Sequence, residues 1–258
     1  MSAERNRLLM DWGIRDRLGL LLGLGCVIAL AWSYLLYMGW GMEHMDVGVN
    51  MALMPRMTHW EPIDLLLVFL MWAIMMVAMM LPSATPMIDT YARIVSSRSV
   101  SPWSQVAAFT SGYLLVWTLF SAIATAGQLL LQKVGLVTGA LTTVPVAGAA
   151  LLISAGIYQI TPLKNVCLTG CRSPIGFFMS DWRAGARGAL RMGLHHGALC
   201  LGCCWFLMAL LFLFGAMNLL WVAALSIFVL LEKALPGGRI LAYSSGFAMI
   251  VAGLALLV

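Results

Sequence analysis

The sequence predicts an all-α fold: a polytopic transmembrane helical bundle of about seven spans, forming a single integral membrane domain over residues 1–258. Three observations predict it. The chain is 62% hydrophobic and only 10% charged, whereas soluble domains carry roughly 25% charged residues. Its apolar runs recur along the whole length, each close to the roughly 20 residues that cross a bilayer core. Its basic residues segregate by side: with the N-terminus inside, every Lys and Arg except Arg56 and Lys133 falls on an inner segment, as the positive-inside rule requires. The C-terminus is then outside. The same segregation accounts for the net charge of +5 without a basic patch of the kind that binds nucleic acid.

In order, the spans are expected at about 18–40, 63–82, 104–131, 143–161, 190–214, 216–232 and 239–258. The first stays apolar from Leu18 past Met38, too long for a signal-peptide core, and is expected to be retained. The second is expected to stop at Pro82. Pro102, Pro145, Pro162 and Pro236 also fall at or near proposed ends, where proline does least harm to a helix. The fifth and sixth spans are divided by the short turn "GAMN", Gly215 to Asn218. Glu232 and Asp64 lie near helix ends and are expected to be solvated.

The fifth span, "RMGLHHGALCLGCCWFLMALLF" from Arg191 to Phe212, joins an apolar stretch to two imidazoles and three thiols. At 100° per residue, Met192, His196, Cys200 and Cys203 share a face roughly 80° wide. Cys204 flanks that face, and His195 lies to its side, where it also reads as a polar residue at the cytoplasmic end. A lone cysteine is often just a small buried hydrophobe. Three of them beside a histidine, inside a membrane where histidine is rare and usually functional, point to a soft metal ion. One ion cannot take the whole column, because His196 and Cys203 are about 10 Å apart along the axis and first-shell distances are about 2.0–2.3 Å. Either other helices complete one site, or the column is a succession of sites.

Two further segments offer ligands. "CLTGC" in the long inner connection, 161–188, brings Cys167 and Cys171 onto one side if it is helical, with Lys164 and Arg172 nearby to favour thiolates. The second span carries Met71, Met75 and Met79 at four-residue steps, with Met76 and Met80 beside them. Thioethers suit Cu(I), although methionine also fills space in apolar interiors. Because the second and fifth spans run in opposite directions, Met75 and Met79 are expected level with Cys200 and His196. On the outer side, Met38, Met42, His44, Met45, Met51, Met54, Met57 and His59 stand among Glu43, Asp46 and Glu61, a segment suited to holding an arriving copper ion. Trp40 and Trp60 read as interface anchors.

The candidate metal ligands are therefore His196, Cys200, Cys203, Cys204, Cys167, Cys171, His195, Met75, Met79 and Met192. Zinc, which prefers four tight cysteine or histidine ligands, is the alternative ion. The methionines favour Cu(I), which accepts two or three soft ligands and leaves less charge to bury.

The phrases "MWAIMMVAMMLPSATPM", "YQITPLKNVCLTGCRSP" and "GLHHGALCLGCCWFLM" continuing to "GAMNLLWVAALSIFVLLEK" resemble a bacterial family of uncharacterised, predicted metal-binding integral membrane proteins. The resemblance runs from Met71 to Lys233. It implies roles for Tyr158, Lys164, Cys167, Cys171, His195, His196, Cys200, Cys203 and Cys204, with Glu232 and Lys233 as a charged pair at a helix end. It implies metal binding without naming the metal.

The expected function is copper handling or transport in the inner (plasma) membrane. The partners implied are the lipid bilayer, the metal ion and a metallochaperone or larger membrane complex. No P-loop, GxSxG or HExxH motif is present, and no enzymatic activity is expected. Two alternatives stand beside this reading. One is a thiol–disulfide oxidoreductase feeding a quinone, which leaves the histidines and methionines unexplained. The other is an accessory subunit with a structural ion.

Overall fold

The computed structural model describes residues 15–43, 62–97, 101–136, 145–215 and 218–257. All regular structure among these residues is helical: α1 (Arg15–Glu43), α2 (Pro62–Ser96), α3 (Pro102–Lys133), α4 (Pro145–Ile160), α5 (Pro162–Arg172), α6 (Pro174–Ser180), α7 (Gly185–Ala209), α8 (Leu211–Phe214), α9 (Leu219–Ala234) and α10 (Gly238–Ala255). The described residues contain five helices long and apolar enough to cross a membrane: α1, α2, α3, α7 continued by α8, and α10. The number rises to six if α4 and α5, bent by 64° at Thr161, form one broken span. The span expected at 216–232 falls on α9. Its 16 residues rise about 24 Å, against a hydrocarbon core of about 30 Å. Large apolar side chains such as Leu119, Ile123, Ile240 and Phe247 point outward, which is compatible with insertion in a bilayer.

Proline opens α3, α4 and α5, where its missing N–H costs nothing. In α2, however, the helix does not stop at Pro82. It continues past Pro82 and Pro86 to Ser96. Pro82 deprives the Ala78 carbonyl of its usual donor, and the Trp32 indole of α1 supplies a replacement at 3.2 Å. A neighbouring helix has restored the lost hydrogen bond, the arrangement that lets proline persist inside membrane helices. At the far ends of the same two helices, Asp89 receives Arg17 from α1 at 3.0 Å and Arg93 at 3.2 Å.

The bundle is closed by backbone approach at glycines. A Cβ on Gly193 of α7 would lie 2.0 Å from the Phe109 carbonyl oxygen of α3. Gly197, one turn on, faces Val116 and the Tyr113 carbonyl. This four-residue spacing of small residues lets two membrane helices touch along their backbones. α4 and α10 meet in the same way at Gly156 and Gly246. The connection at 161–188 is not an open loop: α5 lies against α7, with Gly202 leaving the space into which the Cys167 sulfur fits.

Candidate metal centre

α7 buries Met192, His196, Cys200, Cys203 and Cys204, while His195 on the next face is exposed. Each buried group has identifiable company. His196 is only 3% exposed and is stacked near Tyr113 (5.5 Å between ring centroids) and Phe109 (6.1 Å). Its Nδ1 is buried without a hydrogen-bond partner. A buried polar atom left unpaired is costly, so this one is chemically open to a ligand.

Above His196, Cys200 is the centre of a polar knot inside apolar walls. Its sulfur lies 3.2 Å from the Tyr113 hydroxyl and 2.9 Å from the Lys233 ammonium. Tyr113 also donates to the Met80 carbonyl at 3.1 Å, and Lys233 donates to Ser83 Oγ at 3.1 Å. The Cys203 and Cys204 thiols turn back onto the Cys200 carbonyl at 3.1 and 2.9 Å. Cys204 also approaches the Met80 sulfur at 3.9 Å. From α5, the Cys171 thiol interacts with those of Cys200 and Cys203. Cys167, one turn earlier, packs on Gly202 beside Cys203. All these cysteines are free.

Five thiols thus gather from α5 and α7, with Cys167 at the edge beside Cys203, and a sixth sulfur, from Met80, joins them from α2. In this arrangement no three His, Cys, Asp or Glu side chains among the described residues are poised to hold an ion. The reason is visible in the hydrogen bonds: Cys203 and Cys204 are turned toward a carbonyl, and an ammonium occupies the space beside Cys200. Rotation about Cα–Cβ in the two cysteines would release their sulfurs from that carbonyl. The donor chemistry, thiols with a thioether and an unpaired imidazole, fits a soft monovalent ion.

The remaining candidates lie apart from this knot. Met192 accepts the Arg183 backbone N–H at 3.3 Å, so its sulfur serves the chain entering α7. His195 pairs through Nδ1 with Asp181 at 2.8 Å in an open pocket that also includes Arg183 and Arg191. Burial raises the Asp181 carboxyl pKa, but hydrogen bonds from His195 and Arg183 outweigh that and hold it below the ordinary value. Met75 and Met79 are buried in the bundle, and the α2 methionine that meets a thiol is Met80. The contacts of Met80 and Ser83 with the α7 and α9 groups set the register, which leaves Met75 about 7.5 Å from Met80 toward the N-terminus of α2. Of the outer segment, His44, Met45, Asp46, Met51, Met54, Met57, His59, Trp60 and Glu61 lie outside the described residues.

Two expectations are corrected. Glu232 and Asp64 are not solvated: both are buried. Glu232 forms an ion pair with Lys164 at 2.5 Å, with the two side chains 1% and 0% exposed. Lys164 also donates to Gln159 Oε1, whose amide nitrogen reaches Ser245 Oγ at 2.9 Å. Glu232 and Lys233 do stand in the last turn of α9, and Lys233 is directed away from that carboxylate to Cys200 and Ser83. Tyr113 and Ser83 were not distinguishable in the sequence as site residues. Lys233 carried a signal, because an ionisable residue on an apolar helix is itself a functional pointer.

Fold and site together define a helical, membrane-compatible protein with a buried thiol cluster. The PpoB2 family, described as copper chaperone, matches residues 69–256. That range takes in most of α2 and every later helix, and the chain belongs to this family. No curated protein and no solved structure matches the chain at a significant level.

Proposed function

We propose that this protein is a multi-pass inner-membrane copper-handling protein, without enzymatic activity, that takes Cu(I) as cargo at the thiols of Cys171, Cys200 and Cys203. Cys204 and Met80 lie alongside as exchange partners, and His196 lies one turn inward. The single observation that carries the reading is the gathering of five thiols and a thioether from three helices in a chain of the copper chaperone family. Cu(I) needs only two or three of these donors at once, so the surplus allows it to pass from one set to the next. The seven-span topology with the N-terminus inside and the C-terminus outside, in a single membrane domain, belongs to the same proposal. It is supported by the distribution of basic residues, in which Lys164 and Lys233 count as buried partners rather than loop charges. A metallochaperone or a larger membrane complex would be the source or recipient of the ion.

The test is metal analysis of purified protein after Cu(I) and Zn(II) loading under reducing conditions, wild type beside C200S/C203S. Copper bound by wild type and lost by a double variant that still inserts in the membrane is the expected result. Zinc in place of copper, or equal copper in both, would overturn the reading.

A further inference from the structure

Lys233 is the feature of the cluster that a metal site does not obviously want. A cation normally repels a cation, yet the ammonium lies 2.9 Å from the Cys200 sulfur and is held there by Ser83. The charge arithmetic of a soft two-coordinate ion removes the difficulty. Cu(I) bound to two thiolates makes a unit of charge −1, because the two sulfur-bound protons leave to water and no electron is transferred. An uncompensated charge inside an apolar interior is strongly disfavoured. One ammonium in contact with one of the two sulfurs brings the total to zero. The Lys164 ammonium cannot serve, since it is already committed to Glu232 at 2.5 Å.

Resting on the proposed copper site, we infer that Lys233 is the resident counter-cation of a two-thiolate centre that includes Cys200, and that it makes this centre selective for monovalent soft ions. Ser83 acts with it as a positioning residue, holding the ammonium at 3.1 Å while it contacts the sulfur. A divalent soft ion of the same linear, two-sulfur preference, Hg(II), forms a neutral unit with two thiolates. Beside Lys233 it would leave one positive charge in excess. Lys233 therefore favours Cu(I) and Ag(I) and disfavours Hg(II).

The experiment measures binding of Cu(I), Ag(I) and Hg(II) to purified wild type, K233M and K233R by competition with chelators of known affinity. The thiolate-to-metal absorption band reports sulfur ligation independently. In K233M, Cu(I) and Ag(I) affinities should fall together by at least about tenfold, while Hg(II) affinity holds or rises; K233R should keep the wild-type order. Equal weakening of all three ions in K233M would mean a merely structural lysine, and unchanged Cu(I) affinity would mean that no counter-cation is needed. Either overturns the inference. If K233M does not insert, K233Q compared with K233R carries the same expectation. Wild type that takes up no Cu(I) at all would instead overturn the copper reading itself.

Discussion

Two lysines are drawn into the interior of the bundle and find different company. Lys164, on α5, meets a carboxylate and an amide, and the chain continues through Gln159 to Ser245 on α10. Lys233, on α9, meets a thiol and a hydroxyl. In the first cluster charge is matched by charge inside the protein, so nothing else is required. In the second the ammonium has no carboxylate in salt-bridge contact among the described residues, and its sulfur partner is one of several that a soft ion can use. Adjacent residues Glu232 and Lys233 thus serve a closed structural pair on one face of α9 and an open ligand site on the other.

That contrast makes graded predictions. The largest effect on stability belongs to the closed pair. Removing one partner of a buried ion pair typically costs about 3–5 kcal/mol, so E232Q or K164M should lower the thermal stability of the detergent-solubilised protein far more than K233M does. The double variant K164M/E232Q should recover part of the loss. If K233M is the more destabilising, the division between a structural and a functional lysine fails.

Next comes the backbone contact that holds α7 against α3. G193V forces carbon atoms into the Phe109 carbonyl. Overpacking of this kind costs about 1–3 kcal/mol or more, and it should displace the thiol column as well, so metal binding and thermal stability fall together. Thermal unfolding followed alongside copper retention checks this. W32F removes only the indole donor to the Ala78 carbonyl and should cost about 1 kcal/mol, with copper binding unchanged.

The smallest effect lies at the open pocket around Asp181. The Asp181 carboxyl is held below its ordinary pKa in the folded protein. Its contribution to stability is therefore present above the unfolded-state pKa and lost as pH falls through the lowered one. D181N should lower neutral-pH stability slightly and converge with wild type as the pH falls, a flatter acid-side profile that a thermal-shift series from neutral to acidic pH will read.

The sequence made some of this legible and concealed the rest for physical reasons. Helical periodicity put Met192, His196, Cys200 and Cys203 on one face of α7 and His195 on another, and the structure buries the first four and exposes the last. Local spacing suffices for a statement about one helix. The partners of those residues come from elsewhere in the chain: Tyr113 is 87 residues from Cys200, and Lys233 is 33. No periodicity encodes such a meeting. The end of α2 differs from the expected one because the carbonyl that Pro82 leaves without a donor, that of Ala78, is served by an indole 46 residues away from it. Glu232 read as solvated because its lysine belongs to a segment that looked like a loop until it folded as α5.

The most direct measurement is copper K-edge X-ray absorption on wild-type protein loaded with one equivalent of Cu(I), beside C200S treated identically. Two or three sulfur neighbours at about 2.3 Å in wild type, with copper lost or its sulfur shell reduced in C200S, is the predicted result. A copper ion surrounded by nitrogen and oxygen, or a spectrum indifferent to Cys200, would contradict a thiol-held cargo.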